Sequence, residues 1–121
     1  MSHRFKLLIV DDQPDVRGAL RRTLLTLGNE VQAASNAAEA IAMLARGHFD
    51  FIISDYDMPV MNGLALLRVV REKHPTVRRV LLTGRASAQL AHDALRDNTA
   101  DRFLQKPWHG LDFQRALVET L

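Results

Sequence analysis

A chain of 121 residues, 47% hydrophobic and 25% charged, suffices for one packed domain and is too short for two. Its net charge of +2 and scattered basic residues, with only Arg21-Arg22 and Arg78-Arg79 adjacent, argue against direct nucleic-acid binding. The absence of cysteine excludes disulfides and thiolate metal sites and suits a cytoplasmic protein, and no apolar run approaches the ~20 residues of a membrane span or the pattern of a signal peptide.

Phe5 to Val10 is an apolar run that predicts a buried strand, and it ends in Asp11-Asp12. Pro14 suits the first turn of a helix, along which Val16, Leu20, Leu24 and Leu27 recur at helical spacing until Gly28. Val31 to Ala34 is placed as a second strand by its position. Asn36 with Glu39 three residues on reads as a capping-box variant, followed by the stripe Ala37, Ile41, Leu44 and Ala45 and a stop at Gly47. A central strand over about residues 50–54 runs into Asp55-Tyr56-Asp57-Met58-Pro59, and Pro59 forces the chain out of the sheet.

Asn62-Gly63 predicts a turn. Leu64, Leu67 and Val70 then form a helical stripe that Pro75 stops. Val80 to Thr83 is a fourth strand, with Gly84 opening a loop. The helix over about residues 86–96 is the least apolar of the set. Phe103-Leu104 forms a fifth strand ending in Lys106-Pro107, and Phe113, Ala116, Leu117 and Leu121 line the last helix. Five β-α repeats with short loops predict a doubly wound parallel sheet with helices on both faces.

The strand ends concentrate chemistry. Asp11 and Asp12 follow the first strand, Asp55 the third, Thr83 the fourth and Lys106 the fifth. Open α/β sheets place ligands at this edge. Each residue has an ordinary structural use: a cap for Asp12 or Thr83, a turn for Lys106-Pro107. Taken together they place three repelling carboxylates beside a lysine and a hydroxyl. Like charges at ~4 Å cost about 4 kcal/mol per pair at an effective dielectric of ~20. A hard divalent cation, most simply Mg²⁺, would relieve that repulsion, and the set could hold a phosphoryl group on a carboxylate.

Asp11-Asp12, Asp55-x-x-Met58-Pro59-x-Met61-x-Gly63, Thr83-Gly84 and Lys106-Pro107 together resemble the receiver domain of two-component response regulators, over about residues 5–120. The resemblance implies one receiver domain over residues 1–121. It implies a flavodoxin-like, doubly wound, five-stranded parallel sheet in the order 2-1-3-4-5 with five helices. It makes Asp55 the phosphoacceptor, taking a phosphoryl group from a phosphohistidine on a sensor histidine kinase or phosphotransfer protein. Asp12, Asp55 and the backbone carbonyl of Asp57 would ligate Mg²⁺, with Asp11 acting mainly through water. Thr83 and Lys106 would bind phosphoryl oxygens. Thr83 and Phe103 would form the switch, moving a face made of the fourth helix, fifth strand and fifth helix, where partners or a second receiver could dock. The Lys106–Pro107 bond is expected to be cis, and the only catalysis implied is the domain's own phosphorylation and dephosphorylation. Asp57 and Arg85 would flank the approach of hydrolytic water.

The sequence departs from the family's habit at Asn98-Thr99-Ala100-Asp101-Arg102, where glycine or alanine often precedes the switch aromatic, and at Trp108, where phenylalanine is commoner. Trp108 is expected to pack beneath the last helix. The five histidines, His3, His48, His74, His92 and His109, show no ligand spacing and read as surface residues. Two rival functions use the same residues. Asp55-Tyr56-Asp57 also resembles the nucleophile pair of haloacid-dehalogenase-like phosphatases, which carry that pair on their first strand. A flavin or nucleotide module would need a glycine-rich first loop, and this one reads Asp-Asp-Gln-Pro-Asp. Residues 102–108 are similar to receivers fused to HD-type cyclic-di-GMP phosphodiesterase domains; a stand-alone regulator or the receiver of a hybrid kinase are the other expectations.

Overall fold

The computed structural model describes residues 4–84 and 88–121. Five parallel strands, β1 (Lys6–Val10), β2 (Glu30–Ala34), β3 (Phe51–Asp55), β4 (Arg78–Thr83) and β5 (Arg102–Gln105), alternate with five helices, α1 (Pro14–Thr26), α2 (Ala37–Arg46), α3 (Gly63–Lys73), α4 (Ala88–Arg96) and α5 (Gly110–Glu119). The strand order is β2-β1-β3-β4-β5, so the three strands that end in Asp11-Asp12, Asp55 and Thr83 are neighbours. This is the doubly wound, flavodoxin-like arrangement.

Side-chain parity sorts the core into two layers. Leu8, Val10, Ile52 and Leu81 pack on one face against Ala40, Leu44, Leu66, Leu67 and Val70 of α2 and α3. Leu7, Ile9, Phe51, Ile53, Val80 and Leu82 pack on the other against Leu20, Leu24, Phe113 and Leu117 of α1 and α5. Strand residues alternate between faces with period two, and each face needs an apolar cover, which is why the strands read as unbroken hydrophobic runs. Each fully buried Leu, Ile or Phe contributes roughly 1.5–3 kcal/mol. That packing holds the strand ends in fixed register: Val10 lies opposite Ser54, and Asp55 opposite Leu82.

Local signals set the helix ends. Asn36 accepts from the Glu39 amide at 2.8 Å, and the Glu39 carboxylate returns to the amide and hydroxyl of Ser35. Gly28 follows α1 at φ +94°, a conformation that favours glycine. Asn62-Gly63 is more than a turn: Asn62 caps α3 by accepting from the Ala65 amide at 2.8 Å, and Gly63 is the first helical residue. The central strand extends one residue further than expected, so Asp55 is its last member.

Candidate functional site at the carboxyl edge of the sheet

β1 and β3 end side by side and deliver Asp11, Asp12 and Asp55 to one spot. One carboxylate oxygen from each lies within 4.8 Å of the others. Asp11 and Asp55 are buried, at 1% and 5% exposure, and Asp12 reaches solvent. Asp12 is not a helix cap: Gln13 takes the N-cap position of α1, without a side-chain bond, and its amide donates to Asp11 Oδ1 at 2.9 Å. Arg17 from α1 donates to the Asp11 carbonyl at 2.8 Å, fixing the loop from below.

Lys106 enters from the end of β5. Its ammonium donates to Asp55 Oδ1 at 2.8 Å and stands 3.5 Å from Asp11 Oδ2. Its amide donates to the Thr83 carbonyl at 2.9 Å, joining the ends of β4 and β5, and the Lys106–Pro107 bond is cis. Thr83 is fully buried, and its hydroxyl donates to the Gly84 carbonyl. Asp57 is exposed and stands outside the cluster of three carboxylates. Arg85, expected to flank the water's approach with it, lies outside the described residues, as does His3.

The electrostatics are unbalanced. Burial pushes the Asp55 carboxyl above its usual 3.8, and the charges of Asp11 and Asp57 push the same way; the Lys106 hydrogen bond and charge oppose them without cancelling the rise. Burial works against the Lys106 ammonium, but its hydrogen bond to Asp55 and the charges of Asp55 and Asp11 outweigh it and raise its pKa. Two unit charges 4.8 Å apart repel by about 3.5 kcal/mol at an effective dielectric of ~20. Asp11 Oδ2 is buried without a hydrogen-bond partner. Three carboxylates and one ammonium leave two formal negative charges, and an unsatisfied buried oxygen faces the shared space. That donor set, all oxygen and doubly negative, fits a hard divalent cation such as Mg²⁺.

The loop after β3 is tightly built. An added Cβ at Gly63 would sit 2.1 Å from the Asp55 carbonyl oxygen, so only glycine lets α3 start against the acidic strand end. The Gly63 amide donates to Tyr56 O, and the Tyr56 amide donates to Leu82 O, both at 2.9 Å. Met61 N–H donates to Pro59 O at 2.8 Å, closing a γ-turn at Val60, whose φ is +71°. The motif showed Gly63; the reason for it lies in a contact eight residues back that no spacing rule encodes.

The sequence matches the response regulator receiver domain family over residues 7–118. The chain belongs to this family. FleR, a response regulator of Pseudomonas aeruginosa, is 38% identical over 116 residues, covering 96% of this chain and 24% of FleR. NtrC of Escherichia coli, a DNA-binding transcriptional regulator, is 34% identical over 111 residues, covering 92% of this chain and 23% of NtrC. The chain thus spans about a quarter of the length of these curated relatives. Among solved structures, the signal receiver domain of an HD domain-containing protein from Pseudomonas fluorescens superposes with a TM-score of 0.88 at 30% identity, covering 100% of this chain and 89% of that one. The response regulator TrrA of Thermotoga maritima, solved in complex with Mg²⁺ and BeF, superposes with a TM-score of 0.85 at 27% identity, covering 97% of this chain and 99% of that one. The chain is therefore a receiver domain of the two-component type, a signalling domain.

Phe103 is partly buried against the α2–α3 core layer, and its ring meets His92 of α4 edge-on at 4.7 Å. His92 is exposed, as expected, yet in ring contact with Phe103. Trp108 meets the expectation of packing at the last helix and adds a bond to α1. It packs with the α1–α5 core layer, and its indole N–H donates to Thr23 Oγ1 of α1 at 3.2 Å, tying the β5–α5 loop to the first helix. Among the described residues no helix is long and apolar enough to cross a membrane.

Proposed function

We propose that Asp55 is the phosphoacceptor of this receiver domain, and the observation that carries the proposal is its position: a buried carboxylate at the end of the central strand, 2.8 Å from Lys106 and beside a second buried carboxylate that shares that lysine. A phosphohistidine of a partner kinase or phosphotransfer protein would present its phosphorus to an Asp55 oxygen. The new O–P bond forms as the P–N bond to the imidazole breaks, and the histidine leaves with the bonding pair. Asp11, Asp12 and Asp55, with the Asp57 carbonyl, would hold Mg²⁺. When bound, that ion supplies positive charge to the oxygens of the transferring group.

The chain's own residues do the rest. Lys106 neutralises Asp55 before reaction and turns to a phosphoryl oxygen afterwards. Thr83 exchanges its bond to Gly84 for one to the phosphoryl group. The three buried ends of β1, β3 and β4 fix the attack line, because none can move without disturbing the core layers. The acyl phosphate carries roughly −1.5 to −2 charge where the Asp55 carboxylate carried −1, and presents three acceptors there. Thr83 moves toward that charge, and Phe103 follows into the space it leaves, changing the α4-β5-α5 face. Phe103 has no hydroxyl, so its inward state uses packing alone. The named relatives pair such domains with different outputs, so we assign this domain the switch and not a particular effector, in a cytoplasmic signalling chain.

The test is incubation with acetyl phosphate and Mg²⁺, read by intact mass. One phosphoryl group should be added to the wild type, none without Mg²⁺, and none to Asp55→Asn. Stoichiometric labelling of Asp55→Asn under the same conditions would refute the assignment.

A further inference from the structure

The opposite edge of the sheet holds a second charged cluster that the phosphoacceptor chemistry does not use. Arg79, second residue of β4, is only 7% exposed, unusual for an arginine. Its guanidinium donates to four backbone carbonyls: Val77 at 2.9 Å, Thr99 at 3.1 Å, Asn98 at 3.3 Å and Pro75 at 3.5 Å. The Asp101 carboxylate lies 3.8 Å from the guanidinium and accepts from the Arg79 amide at 2.7 Å; the Asp101 amide returns a bond to the Arg79 carbonyl at 2.8 Å. From α3, Arg71 donates to the Asp97 carbonyl at 2.6 Å and to the Thr99 hydroxyl at 3.5 Å. Thr99, itself fully buried, donates its amide and hydroxyl to Asp97 Oδ1 at 3.0 and 2.6 Å. Asn98 stands at φ +63°, in the left-handed region.

These bonds gather on residues 97–101, the link between the end of α4 and the start of β5. The last carbonyls of a helix have no partner within it, and a cation there is favoured by the helix dipole. Arg71 supplies both at the Asp97 carbonyl, directly after α4, and Arg79 holds the next two carbonyls, those of Asn98 and Thr99. Arg79 is the stronger, because its rigid fork reaches several carbonyls at once and its buried position denies them water.

We propose that Arg79, assisted by Arg71, is a positioning residue for the switch: it fixes the carboxyl end of α4 as a pivot. The phosphorylation signal then moves Phe103 and the Thr83-facing end of α4 while residues 97–101 stay in place. The proposal rests on Asp55 being the acceptor. It adds that the α4-β5-α5 face turns about a fixed point and does not slide as a whole. A sliding face would have to break the Arg79 bonds to Asn98 and Thr99 together, leaving those carbonyls without the guanidinium.

The test is amide hydrogen exchange and NMR on the full chain, with and without Mg²⁺ and beryllofluoride. In the wild type the ligand should shift the Phe103 and His92 resonances and leave exchange at Thr99 and Asp101 within about twofold. In Arg79→Met, exchange at those two amides should rise at least about tenfold in the absence of ligand, and the ligand-induced changes should spread into residues 97–101. Arg71→Met approaches the same segment from the more exposed side and should show the same spreading to a smaller degree, which keeps the test open if Arg79→Met fails to fold. A merely structural role would lower melting temperatures and leave the ligand-induced pattern unaltered. That pattern in the variants, or a wild type in which Thr99 and Asp101 change as much as Phe103, overturns the pivot alone. A wild type that ignores Mg²⁺ and beryllofluoride overturns the acceptor reading and the pivot with it.

Discussion

The two edges of this sheet handle buried charge in opposite ways. At the carboxyl edge, Asp11, Asp12 and Asp55 crowd together with one lysine, and Asp11 Oδ2 is left without a hydrogen-bond partner. At the amino edge, the Arg79 guanidinium is surrounded by carbonyls and a carboxylate. A buried polar group left unpaired costs about 1–3 kcal/mol, more if charged. The amino edge is complete as it stands. The carboxyl edge keeps two uncompensated formal negative charges, a donor set that fits a hard divalent cation.

The largest expected effect breaks the satisfied edge. Arg79→Met removes the guanidinium from four carbonyls, while Asp101 keeps the Arg79 amide, and should lower unfolding free energy by about 2–4 kcal/mol in chemical denaturation. A loss below 1 kcal/mol would mean that solvent replaces those bonds easily. Gly63→Ala comes next, because its new Cβ collides with the Asp55 carbonyl. Relaxation of β3 or α3 should cost about 1–3 kcal/mol, and displacement of Asp55 should slow labelling by acetyl phosphate. Unchanged labelling kinetics would show that α3 yields and the acceptor does not.

On the unsatisfied edge the sign reverses. Asp11→Asn can keep the bond from the Gln13 amide and removes a like charge facing Asp55, while giving up the 3.5 Å ion pair to Lys106. Without metal it should stabilise the protein, by on the order of 1 kcal/mol. Destabilisation in chelator would contradict the repulsion described at this edge.

The smallest effects are in pH dependence, and they too differ in sign. Asp55 has its pKa raised by burial, so in metal-free protein its contribution favours folding below the usual 3.8 and is lost as pH rises through the raised native value. The stability advantage of Asp55→Asn over wild type should therefore open as pH rises from 3.8. Asp97 has its pKa lowered, first by the Thr99 hydroxyl and then by the Thr99 amide, so its contribution is present above 3.8 and is lost as pH falls through the depressed native value. Asp97 is exposed, so its change should be slight and confined to the acid limb. Denaturation midpoints against pH, in chelator, would show both; a gap between Asp55→Asn and wild type that is independent of pH would refute the first.

The same contrast explains what the sequence reveals. The carboxyl edge is legible because its chemistry is written in side chains at strand ends: Asp11-Asp12, Asp55, Thr83 and Lys106 are positions that strand periodicity alone locates, and the parallel order places them together. The amino edge is not legible, because Arg79 is bound by backbone carbonyls, which every residue has. Within Arg78-Arg79 nothing in the sequence says that the second is buried. The Trp108–Thr23 bond spans 85 residues and depends on how α1 and the β5–α5 loop meet, so the sequence shows the ring's packing with α5 and not this bond. The Asn62-Gly63 pair was visible as a chain reversal, but its close approach to Asp55 follows from three-dimensional packing.

The central claim is that the carboxyl edge lacks a divalent cation for completeness. The most direct measurement is thermal and chemical unfolding of the wild type and Asp12→Ala across a Mg²⁺ titration. A ligand that binds only the folded chain stabilises it by about 1.4 kcal/mol at ten times its dissociation constant. The wild type should gain stability along that curve, and Asp12→Ala should need at least about tenfold more Mg²⁺ for the same gain. Stability of the wild type that does not change with Mg²⁺, or an identical curve for Asp12→Ala, would contradict the account.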